Sequence, residues 1–243
     1  MQLTQSWSRT PAPVVLLIDQ DVSARESLAD LLRSVGLRSE GFGSVAELLS
    51  RGLPEATTCL VMEFRLPAMN GLDVQDRLRS ANVEIPIIFV TGHGDIQLAV
   101  RAMKAGAVDF LPKPIREQEF IDSVHLALEK DAGRRARDSA KAELEALYDS
   151  LTSREREVMA HVTAGLMNKQ IAHAMGLSEI TIKVHRGSVM RKMKSRSLAE
   201  LVSKAHELFG AFDFSAHYSG ARITQAPRIG RLVSRFPEFS SAA

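Results

Sequence analysis

The 243-residue sequence has too few cysteines for a fold that is stabilised by disulfide bonds or by cysteine-bound metal ions. It contains one cysteine, Cys59, which excludes disulfides and cysteine-rich metal sites. Because Cys59 lies in an apolar run, we interpret it as a small buried hydrophobe. The apolar run at 14–18 follows a polar leader, residues 1–13, and is too short for a signal peptide or a membrane span. A cytoplasmic protein with no membrane partner is therefore expected.

The sequence also lacks the motifs of an enzyme. No nucleophile, base or cofactor motif is present, and the helical histidines have no HExxH-like spacing. We interpret them as packing or surface residues; they are His161, His173, His185 and His206. We therefore expect no enzyme, no required cofactor and no metal site built from histidines.

The net charge of +2 hides an asymmetry along the chain. Residues 11–130 carry 12 Lys/Arg against 17 Asp/Glu, whereas residues 151–210 carry 10 against 5. An acidic half followed by a basic half indicates that the second half meets a polyanion.

Short apolar runs alternate with amphipathic stretches in the first half of the chain. The runs occupy 14–18, 59–62, 85–90 and 108–111, with a weaker strand candidate at 37–42. Continuous apolar runs are typical of a parallel sheet that is covered on both faces. Five strands alternating with five helices predict a doubly wound α/β domain over residues 14–130.

Polar residues stand where these strands end. In doubly wound sheets the chemistry gathers at the carboxyl ends of the strands, where the crossover direction switches. The residues at such ends are Asp19, Gln20, Glu63, Thr91 and Lys113. Glu63 is the most conspicuous, because it follows an unbroken apolar run and precedes a loop with Pro67 and Gly71.

The second half is helical in pattern. Residues 131–150 predict an exposed helical linker that continues the fifth helix, with Leu144, Leu147 and Leu151 spaced to dock on a neighbour. Residues 151–209 predict an all-α domain of four helices, with capping boxes at Thr152 and Ser197. The second and third helices are joined by a tight turn, as in a helix-turn-helix. The tail, residues 210–243, has no clear period and is either disordered or docked on the body.

The third helix of this domain has two distinct faces. Ile182, Val189 and Met193 form its core stripe. Another face, within an arc of about 100° that would include Lys194, suits a major groove. Its members are Lys183, Val184, Gly187 and Arg191. The residues better placed for phosphates are Asn168, Lys169, Thr181, Arg186 and Lys192.

The alternative to DNA binding is a solvated basic face on a helical interaction domain. The tight turn, the helix caps and the positive charge of the domain all agree with a helix-turn-helix, so they favour double-stranded DNA as the partner. About five or six phosphate contacts would make the affinity steeply dependent on salt.

Two stretches carry a family resemblance. "LTSREREVMAHVTAGLMNKQIAHAMGLSEITIKVHRGSVMRKM" resembles the DNA-binding domain of LuxR-type regulators. "TGHGDIQLAVRAMKAGAVDFLPKP" is similar to the flavodoxin-like receiver domain of FixJ-type proteins. The whole chain resembles a FixJ/NarL-type two-component response regulator, in which the receiver controls dimerisation and exposure of the DNA-binding domain.

The resemblance implies a phosphorylation pocket. In this family a strand-end Asp accepts a phosphoryl group from a histidine kinase, two acids hold Mg²⁺, and a hydroxyl and a Lys contact the phosphoryl oxygens. Asp19 matches the first acid, Thr91 the hydroxyl and Lys113 the amine. Phe110 matches the aromatic switch residue, which acts with Thr91. The Lys113–Pro114 peptide is expected to be cis.

Two positions depart from the family pattern. Gln20 stands in place of a metal-binding acid, so Mg²⁺ would be held weakly, through Asp19. Glu63 stands in place of the phosphoacceptor and is one methylene longer than Asp. We interpret the chain as a regulator that is independent of ordinary phosphorylation, with Glu63 favouring the active state through Lys113 and Thr91. In the alternative, Glu63 merely pairs with Lys113 in a degenerate pocket and the domain only dimerises.

The resemblance also implies partners. The expected dimer face is the fourth helix with the fifth strand, including Val100, Met103 and Lys104, and the expected product is a homodimer on a two-fold DNA site. RNA polymerase and a histidine kinase are further candidate partners. Two other functions stay open: a conventional phosphorylated switch, and a module that sequesters a kinase or a sister regulator.

Overall fold

A computed structural model describes residues 11–67, 69–92 and 96–209. Most of the leader and all of the tail lie outside these ranges, so the prediction for the tail lies outside the described residues. The chain divides into two compact units, and the division falls after Arg135, inside one long helix. No helix in the described ranges is long and apolar enough to cross a membrane.

The first unit contains five strands and five helices in alternation. The strands are β1 (Val14–Ile18), β2 (Arg38–Phe42), β3 (Thr58–Glu63), β4 (Ile87–Thr91) and β5 (Asp109–Pro112). The helices are α1 (Val22–Ser34), α2 (Val45–Arg51), α3 (Gly71–Ser80), α4 (Ile96–Lys104) and α5 (Glu117–Asp149). All strands pair in parallel in the order β2-β1-β3-β4-β5. The predicted doubly wound sheet is confirmed, including the weak edge strand β2.

The sheet is covered on both faces, as its continuous apolar runs predict. All residues of β1 and β4 and all of β3 except Glu63 are buried. Alternate residues of β1 enter two different apolar clusters, one with Leu16 and Phe89 and the other with Leu17 and Phe120. Burial of this kind contributes about 25 cal/mol per Å² of apolar surface. The rigid layers fix the strand ends, and therefore the positions of the polar residues that follow them.

Helix α5 is fastened to the start of β3 before it leaves the first unit. The Asp131 carboxylate, 1% exposed, accepts hydrogen bonds from the backbone N–H of Thr58 (2.8 Å) and from Arg134 (2.5 Å) and Arg135 (2.6 Å). Arg135 also donates to the Glu55 carbonyl. These contacts satisfy a buried charge at the point where the chain passes from one unit to the other.

The second unit consists of the end of α5 and four further helices. These are α6 (Ser153–Thr163), α7 (Asn168–Met175), α8 (Glu179–Lys192) and α9 (Leu198–Phe209). Leu144 and Leu151 are buried in its core, as their spacing predicts. Ile182, Val189 and Met193, the predicted core stripe of α8, are each fully buried.

Local signals set most helix ends in this unit. Thr152 caps α6 in a capping box, and Ser178 caps α8. Between α7 and α8, Gly176 takes a left-handed conformation (φ +63°), which glycine adopts without the penalty that a Cβ would bring. The capping box predicted at Ser197 is wrong in one half. Ser197 accepts from the Glu200 N–H, but the Glu200 carboxylate accepts from the N–H of Arg196, one residue earlier.

Candidate functional site

The carboxyl ends of three strands bring two acids and one ammonium group into direct contact. Asp19 follows β1, Glu63 ends β3 and Lys113 follows β5. Lys113 Nζ lies 2.7 Å from Asp19 Oδ2 and 2.8 Å from Glu63 Oε2. Three of the five residues that the sequence places at strand ends therefore form one charge cluster.

Both oxygens of Glu63 accept hydrogen bonds. Oε2 faces Lys113, while Oε1 accepts from the backbone N–H groups of Phe64 (3.1 Å) and Arg65 (3.4 Å). The extra methylene of Glu lets the carboxylate fold back over the start of its own loop. The carboxylate is thus oriented by two adjacent N–H groups and by one cation.

Asp19 and its neighbours complete the pocket. Asp19 is 8% exposed, and its Oδ1 accepts from the Asp21 N–H at 3.0 Å. Arg25 donates to the Asp19 carbonyl. Asp21, the next acid after Gln20, caps α1 by accepting from the N–H of Ser23. Asp21 therefore serves the helix terminus, and Gln20 is exposed.

The Lys113 ammonium is kept charged by its two acids. Burial alone would lower its pKa, but the hydrogen bonds to Asp19 and Glu63 outweigh this and raise the pKa of Lys113 above its usual range. The cluster therefore has a net charge of about −1 when both carboxylates are ionised. The Lys113–Pro114 peptide is cis, as the resemblance implies.

Thr91 and Phe110 lie on the strands beside this cluster. Thr91 ends β4, is 1% exposed, and accepts the Lys113 backbone N–H through its carbonyl at 2.7 Å. Phe110 on β5 is half-buried and packs edge-on against Phe64, with ring centroids 5.6 Å apart. Phe64 directly follows Glu63 and begins the loop between β3 and α3, residues 64–70, which we call the Glu63 loop. The aromatic contact therefore joins the Glu63 loop to β5.

Gly71 allows the same aromatic group to pack closely. A Cβ built at Gly71 would lie 2.4 Å from a ring carbon of Phe89 and 3.1 Å from Phe64. The Phe64 and Phe89 rings pack in a T-shaped arrangement with centroids 5.3 Å apart. A larger residue at position 71 would displace a ring beneath the Glu63 loop.

The donor set does not suit Mg²⁺. The ion prefers several oxygen ligands in near-octahedral geometry. Among the described residues, the carboxylates of Asp19 and Glu63 are both paired with Lys113, and the adjacent Gln20 is neutral. In the described ranges no three His, Cys, Asp or Glu side chains are grouped so that they could hold a metal ion.

The candidate nucleic-acid interface lies on α8. All four residues of the predicted groove face, Lys183, Val184, Gly187 and Arg191, are exposed. Ile180 shares this face and was missed in the sequence analysis. It lies about 60° from Lys183 on the helical wheel, inside the predicted arc, so the periodicity could have found it.

Lys192, one of the predicted phosphate contacts, has a partner inside the helical unit. Its ammonium group lies 2.6 Å from Glu155 Oε2 and 3.1 Å from the Ser150 carbonyl. The hydrogen bond from Lys192, together with one from the Thr152 N–H, lowers the pKa of Glu155 to about 2. Lys192 is therefore engaged within the unit, which argues against the predicted phosphate contact.

The helical wheel also gives a wrong position for Lys194. Helix α8 ends at Lys192, and Lys194 has a left-handed backbone (φ +48°) with its ammonium 3.0 Å from Glu143. Angles of 100° per residue do not apply beyond the helix end. Lys194 therefore does not continue the groove face.

The other predicted phosphate contacts lie on α7 and α8. Asn168 and Lys169 are the first two residues of α7. Arg186 donates to Asn168 at 3.1 Å, whereas Lys169 is exposed. Thr181 is half-buried, and its hydroxyl lies 2.9 Å from that of Ser178.

The predicted dimer-face residues are exposed in the part of the chain that the structure describes. Val100 and Met103 are each 46% exposed, and Lys104 is exposed beside them. Ile96, one turn before Val100 on α4, is 81% exposed and was not predicted. An apolar stripe of this kind on one helix is a candidate protein contact.

Comparisons with known proteins agree with this architecture. A family model described as "Response regulator receiver domain" matches residues 15–125. One described as "Bacterial regulatory proteins, luxR family" matches residues 149–205. The two matches fall on the α/β unit and on the helical unit respectively.

Relatives extend over most of the chain. Nodulation protein W of Bradyrhizobium diazoefficiens is 51% identical over 195 residues, covering 80% of this chain and 86% of that protein. The transcriptional regulatory protein FixJ of Azorhizobium caulinodans is 41% identical over 191 residues, covering 79% and 90%. A solved structure of the response regulator StyR is 45% identical, with a TM-score of 0.75 over 81% of this chain and 99% of that one. This chain therefore belongs to the FixJ-type response regulators, the transcription regulators of two-component systems that join a receiver domain to a LuxR-type DNA-binding domain.

Proposed function

We propose that this response regulator acts without ordinary phosphorylation, because Glu63 supplies a permanent carboxylate at the phosphoacceptor position. The observation that carries the proposal is the 2.8 Å contact of Glu63 Oε2 with Lys113, together with the N–H groups that hold Oε1. In the family, the matching lysine contacts the phosphoryl group. Here it already has an anion.

The same contacts disfavour transfer of a phosphoryl group to Glu63. A nucleophile needs a free oxygen in line with phosphorus, and misplacement by about 1 Å costs about a hundredfold in rate. Glu63 is one methylene too long, and both of its oxygens are engaged. Gln20 removes an acid from the metal site, and Asp19 is paired with Lys113. Each departure affects the same reaction.

A fixed carboxylate can also act on the rest of the receiver. It connects β3 to Lys113 at the end of β5, and Phe64 connects the same loop to Phe110 on β5. Because β5 and α4 border the predicted dimer face, the charge at position 63 can favour the dimerising conformation in the absence of a kinase.

We further propose that the receiver forms a homodimer through the α4–β5 face and that the dimer binds a two-fold site on double-stranded DNA. The exposed Ile96, Val100 and Met103 support the first step. The exposed cationic face of α8 supports the second. A promoter-bound dimer would act on RNA polymerase in the cytoplasm, and a histidine kinase remains a candidate docking partner of the receiver.

The first test is chemical. We expect substoichiometric acid-labile phosphate after incubation of the full chain with acetyl phosphate and Mg²⁺. The control is the double variant Gln20→Asp/Glu63→Asp, which restores both acids and should become labelled. Stoichiometric labelling of the wild type at Glu63 would contradict the proposal and restore the conventional switch.

The second test measures dimerisation without a phosphodonor, by sedimentation. Glu63→Gln keeps the length of the side chain and removes its charge. We expect this variant and Glu63→Ala to dimerise about tenfold or more weakly than the wild type, within the usual range of coupling free energies. Equal dimerisation of all three would show that Glu63 is not an activating charge.

A gel shift at several salt concentrations separates a DNA-binding regulator from a sequestering module, which would give no specific band.

A further inference from the structure

Two large apolar side chains on the candidate interface of α8 are adjacent and exposed to solvent. Ile180 is 78% exposed and Val184 is 65% exposed. They are four residues apart, so they are neighbours on one ridge of the helix. A single exposed apolar residue is ordinary on a protein surface, but an adjacent pair on a functional face indicates a contact with another molecule.

The surroundings of this pair indicate a polyanion rather than an apolar protein surface. Lys183 lies between the two residues in sequence and is exposed on the same face, and Arg191 follows two turns after Val184. Lys169 is exposed at the start of α7. Among the groups that a DNA major groove presents, the one that an isolated aliphatic side chain recognises is the C5 methyl of thymine.

Gly187 gives an independent reason to expect close approach at this face. Glycine is unfavourable inside a helix, yet a Cβ built at Gly187 meets no atom within 4 Å. Packing inside the protein therefore does not require a glycine here. Close approach of another molecule to the backbone, one turn after Val184, would account for a glycine at this position.

We propose that Ile180 is a specificity-determining residue, and that Ile180 and Val184 form a pair that reads two thymine methyl groups. Ile180 is the second residue of α8, and the N-terminal residues of a recognition helix are the ones that reach base edges. The exposed side chain contributes little to the core, so its replacement leaves the fold intact. The inference rests on the proposed DNA-binding function.

The experiment begins with selection of duplexes from a random-sequence pool by the full-length protein. The recovered consensus is then synthesised with deoxyuridine in place of thymidine, one position at a time, and each affinity is measured by fluorescence anisotropy at one salt concentration. We expect two positions in each half-site at which loss of the methyl weakens binding about fourfold, the factor for one buried methyl-sized group.

Variants then assign the two positions. In Ile180→Ala one of these deoxyuridine effects should disappear, and in Val184→Ala the other should disappear. Leu198→Ala is the matched control, because Leu198 is an exposed apolar residue (40%) on a different helix. It should keep both effects. The melting temperatures of all three variants should equal that of the wild type within about 2 °C, as expected for exposed sites.

The outcomes separate this inference from the function on which it rests. Specific binding without any deoxyuridine effect, or with both effects surviving in Ile180→Ala, would overturn the thymine-reading pair and leave DNA binding intact. Recovery of no specific duplex would overturn both.

Discussion

Replacement of Lys192 by Met should destabilise the helical unit without changing its contacts with DNA. Lys192 lies 2.6 Å from Glu155, whose side chain is only 7% exposed. Methionine keeps the length and the apolar stem of lysine but leaves Glu155 without its cation. Loss of one partner of a buried hydrogen-bonded pair costs about 1–3 kcal/mol. We expect about 1–2 kcal/mol, because the Lys192 side chain is itself 31% exposed.

Calorimetry on the full chain would measure this loss. For a unit of this size, 1–2 kcal/mol corresponds to a fall of about 4–16 °C in melting temperature. The pKa of Glu155 adds a pH signature. Because its folded pKa is lowered to about 2, its contribution is fully present above the pKa of the unfolded chain. The contribution is lost as the pH falls through about 4.5 toward 2. The variant should show a smaller loss of stability in acid, because only the hydrogen bonds from Thr152 remain to lower the pKa of Glu155.

The DNA measurement gives the contrast. Below its melting temperature, Lys192→Met should keep the slope of log affinity against log salt that the wild type shows. Lys183→Ala is the control, because Lys183 is exposed on the groove face and its loss should weaken binding at unchanged stability. The reasoning is refuted if Lys192→Met lowers the salt slope by about 1, as loss of a phosphate contact does, and leaves the melting temperature unchanged.

Three further predictions concern other sites. Gly187→Ala should raise the stability of the helical unit by about 0.5–1 kcal/mol in thermal melts, because alanine is the better helix former. The same variant should weaken DNA binding in anisotropy titrations. Tighter binding would contradict close approach at this position. Asp131→Ala should destabilise the receiver by about 3 kcal/mol in urea titrations, because it removes the acceptor of the Thr58 N–H and the buried partner of two arginines. A change below about 1 kcal/mol would contradict a stabilising role of Asp131. Burial raises the pKa of the Cys59 thiol to about 12, so Ellman's reagent should label Cys59 only after denaturation, and rapid labelling of the native protein would contradict its burial.

The distinction between the two readings of Glu63 depends on what pairing with Lys113 does to the receiver. A degenerate pocket and a built-in activating charge share the same 2.8 Å contact. They differ in whether removal of the charge changes dimerisation, because only an activating charge is coupled to α4 and β5. The aromatic contact between Phe64 and Phe110 offers a physical route for that coupling.

Several features of the fold were accessible from the sequence because their causes are local. Apolar runs of four to six residues mark the strands of the covered sheet. Thr152 and Ser178 mark the starts of helices, because their side chains accept hydrogen bonds from N–H groups three residues on. The groove face of α8 follows from a period of 3.6 residues. The positions of Asp19 and Glu63 at strand ends follow from the strands themselves.

Other features depend on where the chain returns in space. The sequence by itself determined the order of strands and helices, the caps and the exposed face of α8, because these depend on neighbours within about four residues. Only the tertiary structure decided that Lys192 pairs with Glu155, 37 positions away, and that the Lys113 ammonium contacts Asp19 as well as Glu63. A helical wheel gives the direction in which a lysine leaves its helix, but its partner is set by the packing of another helix. For that reason Lys192 is held by an interior carboxylate, while Lys183 and Arg191 on the same helix remain exposed.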